Sequence, residues 1–199
     1  MTRLAMPQLV SYGLLGMPLA MVALPIYVYL PKFYAERSGL SLALIGGALL
    51  AARVSAAFLD PLLGWWIERG RGAFARFVCS GSPLLLGGFV ALFHPPALEG
   101  PAALAWFLGT LMLVYLGFGL VTIAHQSWGA ALTQAPAERA RVSGVREGFA
   151  LAGVVLAAAV TSVAGYGALS LAFALALGGG ALLLVAKAPR PVMANAAPG

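Results

Sequence analysis

Long uncharged runs alternate with short polar clusters along the whole of this chain. From Gln8 to Leu30 there is no charged residue, enough to cross about 30 Å of hydrocarbon as a helix. Further apolar runs cover residues 41–67, 77–93, 103–128, 143–163 and 168–186. They are separated by Lys32 to Gly39, Glu68 to Arg76, Pro95-Pro96 with Glu99-Gly100-Pro101, Gln134 to Val142, and Gly165-Tyr166-Gly167. The pattern predicts an all-α membrane protein of six transmembrane helices over residues 1–187. A disordered cytoplasmic tail is expected over 188–199, where Pro189, Pro191 and Pro198 fall. Pro18 and Pro25 interrupt the first run, and a kinked span of this kind suits the wall of a cavity. The run is too long for the apolar core of a secretory signal, so it is expected to stay attached.

The second run carries Arg53 and Asp60. Each costs about 2.5 to 3.5 kcal/mol near the middle of a span. The Leu, Ile, Val and Phe residues around them return about 0.3 to 0.6 kcal/mol each, so the helix inserts near break-even. The two charges stand two helical turns apart on one face, about 10 Å along the axis. That face calls for a polar interior, with Arg53 facing an anionic solute or a carboxylate, and Asp60 either accepting a proton or cation or serving as a paired structural charge near the helix end that helps hold the following loop.

Composition agrees with a membrane protein: 61% of residues are hydrophobic, 9% are charged, and mean hydropathy is +0.94. The net charge of +6 is spread through short loops and makes no stripe for nucleic acid. Arg3, Arg69, Arg71, Arg76, Arg139, Arg141, Arg146, Lys187 and Arg190 fall on one side of the predicted topology, and only Lys32 and Arg37 on the other. By the positive-inside rule both termini face the cytoplasm, in the inner membrane of a cell. The lone Cys79 excludes an internal disulfide and reads as a small buried hydrophobe. No cofactor, metal cluster or catalytic triad is suggested by the spacing of histidines, serines and acids, so an enzyme is not expected.

Three positions on later spans stand out. His125 and Trp128 lie three residues apart, close enough in phase to share a helix face. Trp128 suits either stacking on a sugar ring or anchoring at the interface. His125 suits either proton relay or a hydrogen-bonded interior. Arg146 and Glu147 open the fifth span. Gly144 with Gly148, and Gly178-Gly179-Gly180, predict close helix packing within the bundle.

The order Tyr12-Gly13, Tyr27-Val28-Tyr29-Leu30, Gly39-Leu40-Ser41, Ala52-Arg53 and Asp60-Pro61-Leu62-Leu63-Gly64-Trp65 resembles the N-terminal six-helix half of a major facilitator superfamily transporter. It is most similar to the glycoside-pentoside-hexuronide:cation symporters, the melibiose carrier-like group. The resemblance implies cation-coupled symport of a small polar solute, such as a sugar or an organic acid. It implies that Asp60 helps bind the coupling cation, that Trp128 lines the sugar site and Arg146 lies near it, and that Arg53 matches the group's arginine on the second helix; the residues themselves add Arg53 and His125 to the candidate substrate site. Gly64-x-x-x-Glu68-Arg69-x-Arg71 resembles the superfamily's loop signature and implies a cytoplasmic charge latch of Glu68, Arg69 and Arg71. Other acidic and amide positions of the group fall on Ala20, Ala56, Leu59 and Ala124. Sodium needs several hard oxygen ligands, so a proton is the expected coupling ion. A half of this kind is expected to work as a homodimer or with a second transporter half. The alternative is a truncated or non-transporting remnant.

Overall fold

The computed structural model describes residues 3–70 and 73–189, and every regular element among them is helical. Four stretches, Met6–Ser38, Leu42–Arg69, Phe74–Phe93 and Gly100–Leu132, are each long and apolar enough to cross a membrane, and a fifth, Pro136–Lys187, has 52 residues. A straight helix of that last length would run about 78 Å, more than twice the hydrocarbon thickness. The chain instead turns back at Gly165, whose φ of 75° and ψ of −171° suit only glycine. Packing shows the reversal directly. Gly153 abuts Met17 and Gly180 abuts Leu15, yet along a straight helix those two glycines would stand about 40 Å apart. The result is an all-α membrane fold with six crossings, as the hydropathy pattern predicts.

Prolines divide the first span. It comprises α1 (Met6–Gly13), α2 (Gly16–Leu24), a π-helical turn (Pro25–Tyr29) and α3 (Leu30–Ser38). Pro18, Pro25 and Pro31 each lack the N–H that an unbroken helix would use. At the π turn the Leu30 N–H reaches back to the Pro25 carbonyl, so the helix takes in one extra residue and its phase slips by about 100°. The expected polar loop from Lys32 to Gly39 is in fact mostly α3. No breaker follows Pro31 until Gly39, which closes the helix at φ 65°, and Lys32 pairs with Glu36 at 3.7 Å one turn on.

The later elements are α4 (Leu42–Arg69), α5 (Phe74–Phe93), α6 (Gly100–Leu132) and α7 (Pro136–Lys187). Ser41 caps α4, its Oγ accepting the Leu44 N–H at 3.2 Å. α7 starts seven residues before the Ser143 expected from hydropathy, because Pro136 suits a first turn and Glu138 favours a helix N-terminus. Glu138, Arg139 and Arg141 therefore sit on a helix and not in a loop. Glu138 is paired with Arg141 at 2.8 Å and accepts the Leu4 N–H at 3.0 Å, which ties the start of the chain to α7.

The first span is the most enclosed, held mainly by the two arms of α7, while α5 and α6 form the other tight pair. Along the α5–α6 seam a side chain at Gly117 would overlap the Leu85 backbone, and one at Gly88 would come within 2.9 Å of the Val114 nitrogen. These close approaches correct the expectation for the later glycines. Gly144, Gly148, Gly178 and Gly179 face open space, and of the expected set only Gly180 packs, on Leu15. Cys79 is likewise exposed, in a hollow between α5 and the closing arm of α7, and not buried as expected. α4 meets the bundle through Ile45, Ala48, Ala52, Ala56, Leu63 and Ile67. Its opposite face presents Leu50, Phe58, Leu62 and Trp65, each more than half exposed, an apolar surface suited to lipid or to another transmembrane body.

Candidate functional site

Three adjoining hollows of about 160, 180 and 150 Å³ run along one side of the bundle. The first and second share Ala23 and Phe118, and the second and third share Gln126 and Arg146, so together they form one trench. Its walls come from the first span, α4, α6 and the opening arm of α7.

Arg53 borders the first hollow beside Tyr27 and Tyr115. The two phenol oxygens are 3.4 Å apart, and Tyr27 sits in the middle of the π turn. Asp60 lies farther along the same face of α4, where a side-chain carbon at Gly119 would stand 3.0 Å from its Oδ1. Tyr115 and Gly119 are one turn apart on α6, so Arg53 and Asp60 lean on a single strip of that helix. Both are exposed, and neither forms an ion pair among the described residues. The spacing of Arg53 and Asp60 thus does place them on one face of α4, where Arg53 lines the first hollow and Asp60 lines none of the three.

The second hollow is lined by Thr122, His125 and Gln126 of α6 and by Arg146 and Glu147 of α7, against Ala20 and its neighbours. Gly16 lets α7 approach closely: a side chain there would stand 2.7 Å from the Arg146 carbonyl oxygen. Arg146 Nε and Nη2 both donate to Glu147 Oε1, at 3.1 and 2.5 Å. The Thr122 hydroxyl is buried with no hydrogen-bond partner among the described residues. Tyr115, Thr122 and Gln126, spaced by seven and four, put their polar groups along one face of α6.

His125 is only 1% exposed. Its Nε2 lies 2.9 Å from the Tyr12 carbonyl oxygen. A carbonyl accepts and cannot donate, so Nε2 carries a hydrogen. The Tyr12 hydroxyl in turn donates to the His125 carbonyl at 3.1 Å, and the two rings lie 4.4 Å apart. The histidine borders the trench, but its ring is committed to holding α1 on α6. Trp128 is not brought to the trench. It is buried near Phe74, and its indole N–H donates to the Pro189 carbonyl at 2.9 Å. Glu68 and Arg69 are exposed at the end of α4, where the Arg69 guanidinium stacks on Trp65 at 3.7 Å. Among the described residues no ion pair joins Glu68 to Arg69, and Arg71 lies outside those residues.

Ala20 stands in the trench wall, while Ala56 and Ala124 are buried. No three His, Cys, Asp or Glu side chains converge to hold a metal among the described residues.

The family described as MFS/sugar transport protein matches residues 11–187, which takes in every spanning helix. The chain belongs to this family of membrane transport proteins. It is similar to the uncharacterized symporter YjmB of Bacillus subtilis (strain 168), 30% identical over 125 residues that make up 60% of this chain and 27% of that protein. It is also similar to the putative glycoside/cation symporter YagG of Escherichia coli (strain K12), 28% identical over 160 residues, 77% of this chain and 34% of that protein. A third relative is the glucuronide carrier protein homolog of Escherichia coli (strain K12), 30% identical over 127 residues, 60% of this chain and 27% of the relative. The chain thus spans about a third of the length of the curated relatives it matches. Within the family's scaffold, Tyr27, Tyr115, Phe118, Gln126 and Glu147 join Arg53 and Arg146 in the trench, and the sequence reading did not single them out as site residues.

Proposed function

We propose that this chain forms one six-helix wall of a cation-coupled secondary transporter in the inner membrane, with both termini cytoplasmic. The wall carries a small polar solute, a sugar or an organic acid, along the trench. One observation carries this reading: two arginines, a glutamate, a glutamine and paired phenols line adjoining hollows in a largely apolar membrane body. Groups of this kind are expensive in hydrocarbon and mark a solute path. The symporter names of the relatives support the coupling.

Asp60 is the coupling group in this proposal, and a proton is its ion. A sodium site would need more oxygen ligands than the alanines at 20, 56 and 124 offer. Arg53 and Arg146 receive the anionic or hydroxyl-bearing parts of the solute. Glu68 and Arg69, with Arg71, act as a cytoplasmic latch toward the facing wall, which is a second copy or a separate half.

The test is uptake of radiolabelled glucuronate and methyl glucoside by vesicles containing the purified chain, under an imposed proton gradient. Accumulation that collapses on adding a protonophore is the expected result. No uptake from a preparation that light scattering shows to be a clean monomer would overturn the reading for this chain by itself and leave a non-transporting wall.

A further inference from the structure

A cavity of about 420 Å³ lies at the turn between α4 and α5 and shares no lining residue with the trench. Arg69, Arg76, Trp66, Phe77 and Ser80 line it. α4 and α5 both pack on α6 but hardly on each other, so a furrow opens between them, with Gly70 and Ala73 at one end. Gly70 lies close to α5, since a side chain there would stand 2.8 Å from the Phe77 ring.

The electrostatics of this cavity are one-sided. Among the described residues neither arginine is paired with a carboxylate. Arg69 is instead held over Trp65, and Trp66 meets Phe77 edge to face at 5.2 Å. Two guanidiniums without a carboxylate partner, one of them steadied by Trp65, at an aromatic-walled recess match the oxygens of a phosphate ester. Position adds a second requirement. The recess sits at the ends of two spanning helices, where exposed Trp65 and Trp66 mark the membrane interface. One and two turns along α4 from Trp66, Leu62 and Phe58 are 63% and 75% exposed, an apolar track leading away from the charge.

We infer that this cavity binds the phosphate of an anionic phospholipid, with the acyl chains lying along Leu62 and Phe58. Inorganic phosphate offers the arginines the same oxygens but has nothing to place on the apolar track. The inference is independent of transport, because its readout is lipid retention.

The test is native mass spectrometry of the detergent-purified full chain with phosphatidylglycerol, phosphatidylcholine and inorganic phosphate. Two arginines at the interface should give phosphatidylglycerol a preference of about tenfold or more over phosphatidylcholine. The double variant Arg69→Gln/Arg76→Gln should lose that preference. The double variant Arg69→Lys/Arg76→Lys should keep most of it, and Arg37→Gln, at the other end of the bundle, should keep all of it. Equal retention of the two lipids by the unaltered chain would overturn the inference. So would an undiminished preference in the glutamine variant, or displacement of phosphatidylglycerol by millimolar inorganic phosphate. If the glutamine variant does not elute as a single species, the lysine variant decides: a lost preference despite retained charge and fold overturns the site.

Discussion

Tyr12 and His125 each hydrogen-bond to the other's backbone carbonyl, and in doing so fasten the first span to α6. Both bonds are buried, so neither can be replaced cheaply by water. Tyr12→Phe should remove about 1 kcal/mol, and His125→Leu about 1 to 3 kcal/mol because it leaves a buried carbonyl unpaired. For a chain of this size each kcal/mol lowers the thermal midpoint by about 2 to 4 °C. Thermal unfolding in detergent reads both effects, and unchanged midpoints for the two variants would show that the clasp does not hold the spans together.

At Gly165 the conformation admits no side chain without strain. Gly165→Ala should destabilise by about 1 to 3 kcal/mol and reduce the fraction eluting as a single species. Gly167→Ala, two residues on with open space around it, serves as the control and should behave as the unaltered chain.

The α5–α6 seam gives a sharper contrast. Gly117→Ala places a carbon on the Leu85 backbone and should cost about 1 to 3 kcal/mol. Gly109→Ala, on the same helix but facing open space, should be neutral or slightly stabilising, since alanine favours helix. Equal midpoints for the two variants would mean that the seam is looser than its geometry.

In the vesicle assay Asp60→Asn should abolish accumulation driven by the proton gradient while leaving solute exchange across the membrane intact. Asparagine keeps the shape of the side chain but takes up no proton near neutral pH. Gradient-driven accumulation by this variant would remove Asp60 from the coupling step.

Arg53→Gln and Arg146→Gln test the solute contacts. A hydrogen bond to a charged group contributes about 1.5 to 3 kcal/mol, so the KM for glucuronate should rise about ten- to a hundredfold. Methyl glucoside, which carries no carboxylate, should be affected less. An equal rise for both solutes would argue for a structural role.

The six crossings were legible because each apolar run is close to or longer than the bilayer thickness as a helix and ends in charge, proline or glycine. Even the reversal at Gly165 could be read that way. Helix ends were less clear: Pro136 and Glu138 start α7 as good N-terminal residues, but hydropathy alone places the start after the charged cluster of Glu138, Arg139 and Arg141. Direction was harder still. The spacing of Gly144 and Gly148 says that a neighbour is permitted, not that one is there, and in this chain both face outward. Trp128 lies near His125 in helical phase, yet the Pro189 carbonyl takes its indole away from the trench. Tyr27 was hidden for a different reason. Pro25 announces a kink, but only the π turn fixes which side chains the kink turns inward. Arg53 and Asp60 were found because charge in a span is rare, whereas the phenols and amides beside them look ordinary in any sequence.

The reversal at Gly165 also bears on the order of assembly. The span of residues 6–38 draws most of its enclosure from the two arms of α7, which lie far along the chain from it and are made after it. Until both arms have been inserted, the proline-broken helix of residues 6–38 must wait in lipid or against the insertion machinery with its final neighbours missing. Such long-range closure is slow compared with pairing of adjacent helices. The span of residues 6–38 is therefore enclosed only after the helices that follow it in the chain, and a chain halted before Gly165 would leave it with one side unsealed.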